Sequence, residues 1–151
     1  MTLLRTTPAH PAYPQLIREL DAFLAVTDGD DHAFYDQYNG SDDIKHVVLL
    51  LDEQGKAVGC GAIKEFATRT AEVKRMYVAE SARGRGLAGR ILTELEGWAR
   101  ELGYRRLMLE TGTRQTAALR LYEKHGYRRM AENYGPYAGV EESVCMEKRL
   151  D

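Results

Sequence analysis

Arg83-Gly84-Arg85-Gly86-Leu87-Ala88-Gly89-Arg90 is the stretch on which the reading of this chain turns. A β-like run, Glu72-Val73-Lys74-Arg75-Met76-Tyr77-Val78, feeds it. An amphipathic helix is predicted to follow from about Leu87 to Leu102, with Ile91, Leu92, Leu95, Trp98, Ala99 and Leu102 as its apolar stripe. A glycine-rich, basic turn between strand and helix is suited to holding phosphate. Glycines let the backbone approach a ligand, the first N–H groups of the helix point outward, and the helix dipole favours an anion there. Arg83, Arg85 and Arg90 add charged donors able to fork onto phosphate oxygens. Helix starts normally avoid positive charge, so three arginines favour an anionic ligand over a merely solvated turn.

Two phosphate-binding patterns compete for these residues. Gly84-Arg85-Gly86-Leu87-Ala88-Gly89 is a literal G-x-G-x-x-G, with Glu110 roughly where a ribose-binding acid would stand, which is a dinucleotide reading. Against it, the feeding strand carries Glu72, Lys74 and Arg75, whereas the central strand of a doubly wound sheet is nearly all apolar. The loop also lies past mid-chain, leaving too little sequence for the remaining βα units. A Walker-type loop fails because no Gly-Lys-Ser/Thr follows.

The second pattern is Arg83-x-x-Gly86-x-Ala88, which resembles the R/Q-x-x-G-x-G/A motif of the GNAT family of acetyl-CoA-dependent N-acetyltransferases. Leu119-Arg120-Leu121-Tyr122-Glu123-Lys124-His125-Gly126-Tyr127 resembles that family's second motif, A-x-x-L-Y-x-x-x-G-F/Y, and the likeness runs from Glu72 to about Arg129. Tyr134-Gly135-Pro136-Tyr137 and Ser143 to Lys148 resemble a bacterial subgroup of the family. The resemblance implies an α/β fold of the acyl-CoA N-acyltransferase type. Its central sheet is mostly antiparallel, with one parallel strand pair splayed around the cofactor and helices on both faces. It implies acetyl-CoA as cofactor, its pyrophosphate cradled by Arg83 to Arg90 and its pantetheine arm alongside the backbone of Met76, Tyr77 and Val78. Gln115 falls where the family often has a cofactor-contacting asparagine.

Size and composition agree with this. At 151 residues the chain is expected to be a single domain spanning 1–151. A net charge of −2 argues against a nucleic-acid binder. The two cysteines, Cys60 and Cys145, have no metal-like spacing and read as buried strand residues of a reducing cytosol. His10, His32, His46 and His125 show no paired spacing for a metal or a Cys–His nucleophile, so no metal is expected. No basic region leads into an apolar stretch, and no apolar run approaches ~18 residues, so a cytoplasmic protein without membrane or nucleic-acid partners is expected. A homodimer stays open.

The remaining elements follow from periodicity and punctuation. Thr2 to Thr7 predicts a strand; Leu16, Leu20, Phe23 and Leu24 stripe a helix between Pro11 and Thr27; Phe34, Tyr35 and Tyr38 suggest a second short helix. His46–Leu51 and Ala57–Phe66 read as an antiparallel hairpin, with Ala71 to Ala79 as the next strand. Arg106 to Glu110, reached through a helical crossover, should lie parallel to that strand. Gln115 to Lys124 predicts a helix, and Gly126 to Ala131 and Glu142 to Lys148 predict strands.

Acetyl transfer from a thioester to an amine needs a neutral amine and a proton for the leaving thiolate. Tyr122 matches the tyrosine that many family members use as that acid, although Ala118, Leu121, Tyr122 and His125 also form a packing stripe. Glu72 is the base candidate, at the start of the strand whose far end would bind the cofactor. Glu110 is the rival and equally a partner for arginines, and water can serve instead. An acetyl-cysteine intermediate on Cys60 or Cys145 is weaker than direct attack. The acceptor pocket is expected from the least motif-like parts: Phe34 to Tyr38 with Tyr35 and Tyr38, and the loop carrying Tyr134 and Tyr137, with Glu110 nearby. Aromatic faces beside Asp36, Glu141 and Glu142 suit a cationic amine. A small-molecule primary amine is therefore the expected acceptor; its identity, and the use of an acyl group other than acetyl, are left open. The alternatives are a CoA-binding sensor without turnover, a protein or peptide acetyltransferase and, more remotely, a dinucleotide-binding domain.

Overall fold

A strand buried on both faces reads as an unbroken apolar run, and β2 (His46–Leu51) shows why. Val47 and Leu49 pack with Tyr13 and Leu16 of helix α1 (Tyr13–Asp28). Val48 and Leu50 pack on the other face with Ile91, Leu92 and Leu95 of helix α2 (Leu87–Glu101). A computed structural model of the chain describes residues 1–29 and 43–151. Within them β1 (Thr2–Thr6), β2, β3 (Ala57–Ala67), β4 (Thr70–Val78), β5 (Arg106–Gly112), β6 (Arg128–Arg129) and β7 (Ser143–Arg149) form one seven-stranded sheet in the order β1-β2-β3-β4-β5-β7-β6.

Every neighbouring pair is antiparallel except β4 with β5, which the α2 crossover makes parallel. Helices α2 and α3 (Thr116–Lys124) share one face of the sheet, where Leu107, Leu109 and Met146 join their core. Helix α1 and a separate cluster of Met108, Tyr134, Tyr137 and Cys145 occupy the other. A proline within the first two positions of α1 presets its opening turn, and Gly103 at φ 92° follows the end of α2.

Three expectations need correction. The strand expected over Gly126 to Ala131 is only Arg128–Arg129, because it lies at the sheet edge and pairs with β7 alone. Leu102 and Phe23, assigned to core stripes, are 42% and 38% exposed. Leu102 has already left the helical face as the C-cap of α2, and Phe23 borders the cavity described below. The expected second helix, with Phe34, Tyr35 and Tyr38, lies outside the described residues.

Composition did not advertise Glu96, a buried acid on α2. It accepts a 2.9 Å bond from Tyr127 and a 3.1 Å charged bond from Lys148 of β7, fastening the helix to the sheet.

Candidate active site

Strands β4 and β5 pair over three positions only: Thr70 with Arg106, Ala71 with Leu107 and Glu72 with Met108. From Val73 onward the edge of β4 that faced β5 has no strand partner. The cause lies in β4 itself. Arg75 and Met76 stand where β3 offers the single residue Gly61, a bulge that bends the strand and increases its twist. Arg75 takes φ 59° there, in the left-handed region that most side chains avoid. The bulge also resets the alternation of the strand. Val73, Met76 and Val78 pack toward α2, while Glu72, Lys74, Arg75 and Tyr77 all face the α1 side.

The wedge between the strands is a cavity of about 480 Å³. Its walls are β4 from Glu72 to Val78, the end of β5 at Glu110 to Gly112, the start of α2, and Leu121 and Tyr122 of α3; Leu20, Phe23 and Leu24 of α1 close one side.

At one end lies the glycine-rich turn. A 3-10 turn, Glu80–Ala82, leads into Arg83, and then Gly84 and Gly86 adopt φ 80° and 71°. A side chain at either would meet no atom within 4 Å, so the glycines are required by conformation, and the space over them is open. Gly86 caps α2 without a side-chain hydrogen bond, leaving first-turn N–H groups for an anion. The three arginines do not converge as the sequence suggests. Arg83 lines the cavity, but its Nε donates to the Val78 carbonyl at 2.8 Å, and its guanidinium lies over Phe23 and Tyr77 at 5.0 and 5.6 Å. Arg85 is exposed beyond the lining, and Arg90 faces a second hollow of about 450 Å³ with Lys124 and His125. Leu87, Ala88 and Gly89 line the cavity at the start of α2. Gln115, at the cap of α3, lines the same space, and its buried Nε2 has no hydrogen-bond partner among the described residues. An orphaned donor beside an open glycine cradle fits a ligand with amide carbonyls and a pyrophosphate, as acetyl-CoA has.

At the fork lie the titratable groups. Glu72 is 7% exposed, at the last position where β4 pairs with β5. It accepts a 2.6 Å bond from the Tyr134 hydroxyl, and the same oxygen lies 3.9 Å from Lys74 Nζ. Burial lowers the Lys74 pKa, with Glu72 opposing the shift. Tyr122, from the opposite face, is buried edge-on to Tyr127. Burial first, and the Glu110 charge second, push its pKa up, so it keeps its proton. Tyr137 lines the cavity, whereas Tyr134 packs between Phe66 and Tyr137 with ring centroids 5.2 and 5.6 Å away. Both cysteine thiols are buried and pushed up by desolvation, Cys60 to about 12 and Cys145 to about 11, so neither is a thiolate at neutral pH. Among the described residues no group of three or more His, Cys, Asp or Glu could hold a metal ion, and no helix is long and apolar enough to cross a membrane.

Sequence reasoning missed Lys74 and Arg75 as parts of this site. Arg75 is buried, with its side chain 4% exposed and Nη1 3.2 Å from Asp21 of α1. The available signal was Gly59 and Gly61 in an otherwise side-chain-bearing strand, a mark of a bulge or a close approach.

A family model for the acetyltransferases of the GNAT family matches residues 13–127. An IAA acetyltransferase of Azospirillum brasilense is 37% identical over 153 residues, covering 99% of this chain and 98% of that protein. A solved structure from Klebsiella pneumoniae, provisionally named an acyl-CoA N-acyltransferase, superposes with a TM-score of 0.83 at 33% identity, covering 99% of this chain and 97% of the other. A GNAT acetyltransferase from Elizabethkingia anophelis with acetyl-CoA bound shares the fold at a TM-score of 0.71 and 22% identity, over 98% of this chain and 97% of that one.

Proposed function

The chain belongs to the GNAT family of acetyltransferases, and on that footing we propose that it acts as a single domain moving an acetyl group from acetyl-CoA to the primary amine of a small molecule. The observation that carries the reading is the cavity in the β4–β5 wedge, with an open glycine cradle at one end and Glu72 and Tyr122 at the other. The Elizabethkingia protein, on the same fold, has acetyl-CoA bound, which supports acetyl-CoA as the cofactor.

Bound acetyl-CoA supplies an activated thioester. Gly84, Gly86 and the first turn of α2 hold its pyrophosphate, assisted by the arginines of the loop. The unpaired edge of β4 at Met76 to Val78 and the Gln115 amide receive the pantetheine arm. Glu72 takes the proton of the acceptor ammonium, directly or through water, so that a neutral nitrogen attacks. Tyr122, still protonated, gives its phenolic proton to the departing sulfur, and the second proton shed by the acylated nitrogen restores the phenol through water. With both cysteines buried as thiols, attack is direct in a ternary complex.

Turnover tests this reading: CoA release at saturating acetyl-CoA across a panel of small amines. Release with at least one amine is the expected result. Tight acetyl-CoA binding without release on any amine or by hydrolysis favours a sensor. Acetylation of peptides or proteins alone removes the small-molecule acceptor, and thermal stabilisation by NAD but not CoA removes the cofactor assignment.

A further inference from the structure

We propose that the buried Arg75 guanidinium at the β4 bulge is an anion subsite of the acceptor pocket, and that the amine acceptor carries a carboxylate or similar small anionic group. The inference rests on the transfer reading above.

Arg75 lines the same cavity as Glu72 and Glu110, on the α1 side of the sheet. Among the described residues its Nε and Nη1 are buried and make no hydrogen bond. Nη1 lies 3.2 Å from an Asp21 oxygen, but as an ion pair outside hydrogen-bond geometry, and the Asp21 side chain is 40% exposed. Asp21 therefore balances the charge without satisfying the donors. Buried polar groups are almost always paired, and an unmade pair is costly, so orphaned donors of a cavity-lining residue ask for an acceptor that arrives with a ligand. A guanidinium presents its N–H groups in a fixed planar fork, and Nε or Nη1, each beside Nη2, opens an edge at which a carboxylate can be accepted.

The backbone supports the same conclusion. Arg75 is held at φ 59°, an unfavourable conformation for a side-chain-bearing residue, and only because of the bulge does its side chain share a face with Glu72 and Lys74. Without the bulge, alternation would send it into the apolar core under α2. The pocket is then complementary along its length: carboxylates at the fork for an ammonium, and Arg75, three residues further along β4, for an anion.

The test compares amino acids with their methyl esters as acceptors, at saturating acetyl-CoA, in the wild type, Arg75→Gln and Arg75→Lys. The readout is the anionic-to-ester ratio of kcat/KM, taken relative to wild type. This double ratio cancels the differing amine pKa values of the two acceptor series. In Arg75→Gln it is expected to fall roughly 10- to 100-fold, the equivalent of a charge-assisted hydrogen bond. Arg75→Lys should lose at least about threefold, because a point charge replaces the fork. It keeps the pairing with Asp21 and serves if Arg75→Gln does not fold. An unchanged ratio in folded variants overturns the subsite while leaving acetyl transfer intact. Wild-type protein that releases CoA with other small amines but with none in either series overturns this inference alone; release with no amine at all overturns the transfer reading, and this inference with it.

Discussion

The Tyr134 hydroxyl donates a 2.6 Å hydrogen bond to Glu72 Oε2, joining the loop before β7 to the last residue at which β4 and β5 still pair. Both groups are buried, and burial followed by the Glu72 charge pushes the Tyr134 pKa up, so the phenol remains a donor. One oxygen of the carboxylate is thereby fixed, with Lys74 3.9 Å from the same atom. In the proposed role of base, a carboxylate held this way keeps one orientation toward the cavity, and that orientation depends on a residue that does not itself line it.

Tyr134→Phe keeps the ring packed against Phe66 and Tyr137 but removes that bond. We expect kcat to fall roughly 10-fold or more, the value of a hydrogen bond to a charged group, while the acetyl-CoA Kd stays within a few-fold. Steady-state kinetics with calorimetric binding decides it. An unchanged kcat would leave Tyr134 as packing alone and would weaken the case for Glu72.

Tyr122→Phe should lower turnover by about 100-fold with little effect on CoA binding. The pH profile supplies a second check. Because burial and Glu110 raise the Tyr122 pKa, its acid form persists above the usual ~10 of a phenol. Loss of this proton should therefore produce no alkaline fall in kcat below about pH 10. Glu110→Gln removes one of the two raising influences, so any alkaline limb should move to lower pH. Movement to higher pH would contradict the assignment.

Much of this was legible in the sequence, for identifiable reasons. The unbroken apolar run of β2 announces burial on two faces, and Gly103 announces the end of α2. The glycine loop and the Leu119–Tyr127 stretch announce the cofactor end and Tyr122. The fork was not legible, because it arises from a pairing irregularity: Gly61 facing both Arg75 and Met76. Strict alternation puts Lys74 on the face of Glu72 but sends Arg75 to the opposite one, so no local rule gathers Arg75 with them. The Tyr134–Glu72 bond spans 62 positions and has no local signature.

Gly61→Ala tests the bulge through stability. A Cβ there would lie 2.6 Å from Met76 Sδ, 2.8 Å from Ile91 and 2.9 Å from Leu95, three side chains of the α2-facing core. Such crowding has no cheap escape, and we expect a loss of about 1–3 kcal/mol in unfolding free energy. Denaturant titration measures it, and a neutral result would mean that β4 shifts freely at the bulge.

Gly86→Ala separates two costs at the cofactor cradle. Without ligand, the added Cβ meets nothing within 4 Å, so the penalty is that of an alanine at φ 71°, about 1–2 kcal/mol. With acetyl-CoA, the methyl occupies the open space in which the pyrophosphate approaches the backbone. Affinity should therefore drop by more than about tenfold, beyond anything the stability loss explains. Arg85→Gln, in contrast, removes an exposed charge and should weaken binding only about two- to fivefold, with an effect that fades as salt rises. Calorimetry on both variants at low and high salt orders the two contributions. If Arg85→Gln is the more damaging, the anion is held by the arginine side chains, and the glycine backbone serves only to turn the chain.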